Sequence, residues 1–329
     1  MSEIQGTRVA LIGCGYWGRN LARNFHEAGA LELVCDPSES AHAFIQEKYP
    51  DVRMCSDLAS AFDDESIDAV AIATPATTHV DLATKALAAG KDVYIEKPLA
   101  LDVRRGEALV EEANRLGRIL MVGHLLWYHP VVLKLKRLID EGALGKLRYI
   151  TSHRLNFGKV RHEENVLWSF APHDISVILG LVGESPEVHS CTGGRYLSAE
   201  VADVTYTELR FPSGIRAHLF TSWLHPFKEQ KLVVVGEERM AVFDDVEKEA
   251  KLVLYDHDVQ WEKGIPVAVK SAGEAVDYEA SEPLRNEVDA FLKSVVSRQA
   301  PYTDGPEGLR VLRVLKDCQA ALDGESVRR

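Results

Sequence analysis

The sequence predicts an α/β chain of two domains: an open parallel sheet with interleaved helices, then an α+β domain on a large, mainly antiparallel open sheet. Three observations carry that expectation. The chain has 329 residues, and domains hold about 100–200 residues each. Short apolar runs alternate with helical patterns up to residue 125, the mark of βαβ units. Beyond that point strand patterns dominate, and helices return only near the end. The expected domains are 1–125 and 126–329, with the closing helices free to pack back on the first.

Taken in order, residues 8–12 form an apolar run ending in glycine, and 16–28 have helical spacing. Residues 31–36 read as a second strand and 40–48 as a short helix. Residues 69–73 are a buried strand, and 79–89 a helix closed by Gly90. A strand at 92–95 precedes a helix at 102–116, with Asp102 as N-cap and Gly117 just past its end. Residues 119–122 are one more strand, and 131–141 a helix ended by Gly142. Apolar and polar residues then alternate over 148–154. Residues 203–211 and 215–223 flank Pro212-Ser213-Gly214, a hairpin turn. Shorter strands are expected at 231–235, 240–243 and 252–255, and helices at 284–297 and 305–322.

Composition narrows the function. The chain is 46% hydrophobic and 27% charged, as ordinary globular proteins are. No apolar run approaches 18 residues, so no membrane span is expected. Met1-Ser2-Glu3-Ile4-Gln5 does not read as a signal peptide. Lys and Arg number 38 against 50 Asp and Glu, net −12, with no dense basic block. Non-specific nucleic-acid binding needs a basic face, so it is not expected. Any phosphate must be held by backbone donors and a few placed cations. The cysteines, Cys14, Cys35, Cys55, Cys191 and Cys318, are odd in number, widely spaced and without a C-x-x-C pair. Neither disulfides nor a cysteine zinc site is expected; the reading is free thiols in a reducing cytoplasm. No helical H-x-x-x-H pair suggests another metal, and Glu39-Ser40-Ala41-His42 stands alone as an E-x-x-H.

Gly13-Cys14-Gly15-Tyr16-Trp17-Gly18 is G-x-G-x-x-G, placed directly after a strand and opening a helix. The first glycine allows the tight turn, the second lets backbone approach a pyrophosphate, and the third lets helix and strand pack closely. The helix end supplies N–H donors and partial positive charge for an anion, so no basic cluster is needed. Asp36 ends the second strand, where a carboxylate accepts from both ribose hydroxyls and repels a 2′-phosphate. No Arg or Lys follows until Lys48. The first domain therefore reads as a Rossmann domain for NAD rather than NADP.

Further segments complete a pattern: Ala73-Thr74-Pro75 with His79, Glu96-Lys97-Pro98, Gly123-His124, Ala171-Pro172-His173-Asp174 and Pro283-Leu284-Arg285-Asn286-Glu287. With the glycine loop, they make the chain resemble the glucose–fructose oxidoreductase / inositol dehydrogenase / rhizopine catabolism family of sugar oxidoreductases along nearly its whole length. The resemblance implies an NAD-dependent enzyme acting on a CH–OH group. It places Lys97 beside the nicotinamide and the reacting hydroxyl, where burial near a cationic ring lowers a lysine's pKa toward use as a proton acceptor. It implies a cis Lys97–Pro98 bond. Tyr16, Trp17, Thr74, Pro75, His79 and Glu96 join the glycines and Asp36 as expected cofactor contacts.

His173 is the second catalytic candidate, at the head of an apolar helix expected at 175–181. An imidazole can take a proton from a sugar hydroxyl as hydride leaves the same carbon. Relatives carry an Asp four residues earlier; Ser169 stands there, so the proton relay of polyol dehydrogenases is incomplete. The polar stretch before His173 is the expected substrate region. Arg154, Lys159 and Arg161 suit a diphosphate, Phe157 and Trp168 a base or sugar face, and Asn156 and Asn165 polar contacts; His124 is a further candidate. Residues 165–174 are similar to family members of amino-sugar biosynthesis that oxidise C3 of a UDP-sugar. The leading expectation is oxidation of a UDP-N-acetylglucosamine-type sugar to its 3-keto form, ahead of transamination in amino-sugar and lipopolysaccharide synthesis. A free-sugar or cyclitol dehydrogenase, a 3-ketosugar reductase, and a non-catalytic NAD-responsive regulator remain open. The resemblance also implies a homodimer or homotetramer, because a sheet face left bare needs cover.

Overall fold

The computed structural model describes residues 6–324 apart from Lys159 and Glu163. The chain begins β1 (Val9–Ile12), α1 (Gly18–Glu27), β2 (Leu31–Cys35), α2 (Glu39–Lys48), β3 (Arg53–Cys55), α3 (Ser60–Asp63), β4 (Ala69–Ile72), α4 (His79–Ala88), β5 (Asp92–Glu96), α5 (Val103–Arg115) and β6 (Leu120–Gly123). It continues with α6 (Pro130–Asp140), β7 (Leu147–Phe157), α7 (Val166–Val182), β8 (Glu187–Gly194), β9 (Val204–Arg210), β10 (Arg216–Ser222), β11 (Leu224–Gly236), β12 (Met240–Asp244) and β13 (Leu252–Tyr255). It ends with β14 (Asp258–Glu262), β15 (Ile265–Val269), β16 (Glu274–Ala275), α8 (Pro283–Ser297) and α9 (Gly305–Leu322). Two compact units result. One holds the chain through Tyr128 with Ser281–Leu312; the other holds His129–Ala280 with the residues from Arg313 onward.

The first unit is the expected parallel sheet, in the order β3-β2-β1-β4-β5-β6. β1 and β4 are apolar and fully buried on both faces, as strands covered by helices on either side must be. The strand order turns back between β1 and β4, and ligands of such sheets bind beyond the carboxyl ends at that switch. Asp102 caps α5 by accepting the Arg105 N–H. α8 belongs to this unit: Phe291 packs edge-on against Phe25 and Tyr94, and Arg298 grips Asp92 through both nitrogens.

The second unit is an eight-stranded sheet ordered β16-β13-β12-β11-β7-β10-β9-β8. Its pairs are antiparallel except β7 with β10, which run parallel. α7 covers one face of β7, β9 and β10. On the other face Tyr149 and Tyr206 stand exposed, alternating with buried neighbours.

Three sequence expectations are corrected here. β11 starts at Leu224, well before residue 231, because a register shift between Leu224 and Glu229 breaks the alternation that marks a strand. α7 begins at Val166, so His173 lies inside the helix and not at its head. Asn165 starts it by accepting the Trp168 N–H, and the helix continues through Pro172, whose ring lacks an N–H to donate. Finally, Cys35 and Cys55 form a disulfide, S–S 2.28 Å, against the expectation of free thiols. They are direct register partners on β2 and β3, with Cα atoms 4.7 Å apart. Strand pairing brings together cysteines that sequence spacing leaves unrelated.

Candidate active site

In the first unit, the carboxyl ends of β1, β4, β5 and β6 lie side by side and carry the predicted motifs in that order. Gly13 has φ +92°, and a Cβ there would come within 2.8 Å of the Ala73 carbonyl oxygen. A Cβ on Gly18 would meet the Gly13 carbonyl oxygen at 2.1 Å. Gly15 is exposed with open space above it, so backbone N–H groups at the start of α1 are open to an anion. Asp36 accepts the Cys14 N–H at 2.7 Å and the Ser38 N–H at 2.8 Å, one on each oxygen. Burial pushes its carboxyl pKa up, but those bonds outweigh it and hold the group below the ordinary value. The result is an anion with lone pairs left for hydroxyl donors. A glycine cradle, a helix end and this fixed carboxylate fit a dinucleotide. Tyr16, 90% exposed, flanks the cradle, and Trp17 is half-buried.

Thr74 and Pro75 follow β4, with the Thr74 hydroxyl 2.7 Å from that of Thr78. His79 opens α4, fully buried, with its ring nitrogens 2.9 Å from the carbonyl oxygens of Thr74 and Pro98. Burial pushes its pKa down against the pull of those two carbonyls. The ring ties the β4 loop to the turn after β5, where the Lys97–Pro98 bond is cis as the resemblance implies. Lys97 is half-buried at that turn. Glu96 accepts the Trp17 indole N–H at 2.5 Å and the Tyr94 hydroxyl at 3.0 Å, joining the glycine loop to β5. His124, also buried, sits 2.8 Å from the Glu307 carboxylate.

In the second unit, Arg154 spans to Asp174 with two nitrogens, at 2.5 and 3.1 Å, and is only 13% exposed. Ser152 donates to the same carboxylate at 2.8 Å. Asn165 and Trp168 both donate to the side-chain oxygen of Gln319, at 2.8 and 3.0 Å. Arg161 pairs with Glu164 at 2.9 Å. Asn156 is half-buried, and Phe157 is 72% exposed. His173 is half-buried on α7, one turn beyond the buried Ser169. Lys159 lies outside the described residues.

The structure thus gathers the predicted cofactor residues along one sheet edge, while several predicted substrate residues hold one another and their own unit. The partners Tyr94, Ser38, Asp174, Glu287, Glu307 and Gln319 had no assigned role in the sequence reading. Glu287, among Leu284, Val288 and Phe291, and Glu307 carry the signal of a polar side chain at a buried position, and Asp174 and Glu287 also stand in segments that carry the resemblance.

Comparison with known proteins agrees with this layout. Residues 7–124 match the family model described as "Oxidoreductase family, NAD-binding Rossmann fold", and residues 132–242 the "GFO/IDH/MocA C-terminal domain". A UDP-N-acetylglucosamine 3-dehydrogenase of Acidithiobacillus ferrooxidans is 27% identical over 96% of this chain and 97% of its own. A solved structure of the enzyme of that name from the same organism superposes with a TM-score of 0.85, at 26% identity, over 98% of this chain and 99% of that one. A scyllo-inositol 2-dehydrogenase (NAD(+)) of Bacillus subtilis is 28% identical over 70% of this chain and 72% of its own.

Proposed function

Since the chain belongs to the glucose–fructose oxidoreductase / inositol dehydrogenase / rhizopine catabolism family of oxidoreductases and carries its NAD-binding Rossmann domain, we propose that it oxidises the C3 hydroxyl of a UDP-linked N-acetylglucosamine-type sugar. The observation that carries this reading is the end-to-end similarity to the Acidithiobacillus ferrooxidans 3-dehydrogenase. Ser169, one turn before His173, supports it, because the acid of the polyol-type proton relay is missing.

The glycine loop holds the pyrophosphate on backbone N–H groups, and Asp36 accepts the ribose hydroxyls. NAD⁺, when bound, supplies the hydride acceptor. Lys97 takes the proton of the 3-hydroxyl as its amine becomes an ammonium, and His173 holds or exchanges a proton with the same sugar. Of the remaining candidates, Phe157 and Arg161 have side chains with surface to offer a nucleotide. A 3-keto sugar is the substrate form for transamination, which fits a reaction standing before an aminotransferase in amino-sugar and lipopolysaccharide synthesis. The bare sheet face around Tyr149 and Tyr206 supports a homo-oligomer. A cyclitol dehydrogenase is the second reading, favoured by the Bacillus subtilis relative.

The test is NADH formation from NAD⁺ with a panel of UDP-sugars, inositols and free hexoses, with a ketone trap or coupled aminotransferase to draw the equilibrium forward. NADH with UDP-N-acetylglucosamine and none with inositol supports the first reading. The reverse pattern establishes the second.

A further inference from the structure

Tyr94 lies at the centre of a buried acid cluster within the first unit. Its hydroxyl is 3.0 Å from Glu96 Oε1 and 3.0 Å from Glu287 Oε2. Tyr94 and Glu287 have no exposed surface. The neighbouring strand makes room: Gly123 pairs with Glu96 across β5 and β6, and a Cβ on it would meet the Tyr94 oxygen at 2.6 Å. A phenol carries one proton and donates one hydrogen bond. Two carboxylates at hydrogen-bond distance cannot both accept it, so one of the two carboxyl groups must carry a proton and donate to the Tyr94 oxygen.

The donors show which. Glu96 receives the Trp17 indole N–H, the Tyr94 O–H and the Lys97 backbone N–H. The other oxygen of Glu287 has no hydrogen-bond partner among the described residues. A carboxylate with several donors is stabilised as an anion, and one buried with a single neighbour is not. The electrostatics agree in direction. Burial and then the charge of Glu96 push Glu287 far above the ordinary carboxyl range. Burial also raises Glu96, but the Trp17 and Tyr94 bonds and the Lys97 charge pull it back. Tyr128 is the other titratable group that feels Glu287, and burial raises it too.

We infer that Glu287 is a neutral acid that donates to Tyr94, that Tyr94 donates to Glu96, and that the single charge of this cluster makes Glu96, itself half-buried, a positioning residue joining Trp17 of the dinucleotide loop to the backbone of Lys97. Glu96 thereby acts on its neighbours and not as a cofactor ligand. Its consequence for turnover rests on the catalytic reading of Lys97; the protonation state and the anchoring of the loop do not.

The test uses the whole protein and needs no sugar. Infrared spectra at pH 8 should show a protonated-carboxyl C=O band that disappears in Glu287→Gln and survives in Glu96→Gln. Its absence from the unaltered protein, or its loss with Glu96→Gln alone, overturns the inference, and the first of these needs no variant to fold. Titration calorimetry with NADH reads the anchoring. Glutamine at position 287 keeps a donor for Tyr94, whereas glutamine at 96 loses the charge that holds Trp17. Glu96→Gln should therefore cost at least about tenfold more NADH affinity than Glu287→Gln, and equal losses would overturn the positioning role. A Lys97→Met variant that still turned over would end the catalytic reading and leave both readouts standing.

Discussion

In the first unit the candidate residues are placed by backbone. Gly13, Lys97 and His124 each follow directly on the carboxyl end of a strand and Thr74 one residue later, and parallel pairing alone sets those ends beside one another. In the second unit the residues from Arg154 to Asp174 are placed by side-chain pairs: Arg154 with Asp174, Asn165 and Trp168 with Gln319. A site built on strand ends leaves its N–H groups and carboxylates free for a ligand. A segment built on mutual pairs uses the same polar chemistry to hold itself together. Substitutions at Asp36 and Lys97 should therefore act on binding and turnover, and those at Arg154, Asn165, Trp168 and Asp174 on stability.

The largest expected effect is on turnover. Lys97→Met should lower kcat by about 10³-fold or more, on the scale of a lost general base, while NADH affinity measured by calorimetry stays close to that of the unaltered enzyme. Retained turnover removes Lys97 from the chemistry. Next comes stability in the other unit. Asp174→Ala leaves the Arg154 guanidinium without its partner in a site with 13% and 6% side-chain exposure. The expected loss is about 3–5 kcal/mol, read from the denaturant midpoint. A loss under about 1 kcal/mol, the range of exposed pairs, would mean that water screens this pair and would erase the contrast between the units.

Asp36→Ala should weaken NAD binding by about 10–100-fold, the scale of hydrogen bonds to a charged group, and narrow the preference over NADP. An unchanged NAD/NADP ratio would mean that this carboxylate does not meet the ribose. The smallest effect is pH-dependent. Burial acts to raise Asp245, but its bonds with His129 and Lys251 prevail and bring its pKa down to about 2. An unfolded Asp titrates near ~3.9. Its stabilisation is thus present above about pH 4 and lost as the pH falls toward about 2, on the order of 1–2 kcal/mol. Asp245→Asn should flatten the acid limb of the stability curve in that window. An unaltered limb would assign the acid sensitivity to other carboxylates.

Much of the fold and of the layout of the candidate cofactor site is legible from the amino acids. Gly13 to Gly18, Asp36 and Lys97 stand at positions set by local signals: a strand, a turn that needs glycine, a helix start. Sequence legibility ended where long-range pairing begins. The disulfide between Cys35 and Cys55 follows from the register of β2 on β3, which spacing does not reveal. β8 escaped notice because it is an edge strand whose side chains are mostly exposed, with only Cys191 fully buried. Pro172 ordinarily marks a helix beginning, which puts His173 at a helix head, but the capping side chain of Asn165 starts the helix earlier. Glu287 stands in a segment that carries the resemblance, but its partner Tyr94 lies on a strand far away in the chain, which spacing does not reveal.

The proposed reaction breaks one carbon–hydrogen bond, and hydride tracing follows that hydrogen. UDP-N-acetylglucosamine deuterated at C3 is incubated with the enzyme and NAD⁺, the ketone is trapped, and the NADH is weighed by mass spectrometry. Oxidation at C3 gives deuterated NADH from the C3 label and unlabelled NADH from a C4 label. Unlabelled NADH from the C3-deuterated sugar, or NADH formed only with inositol, would contradict it.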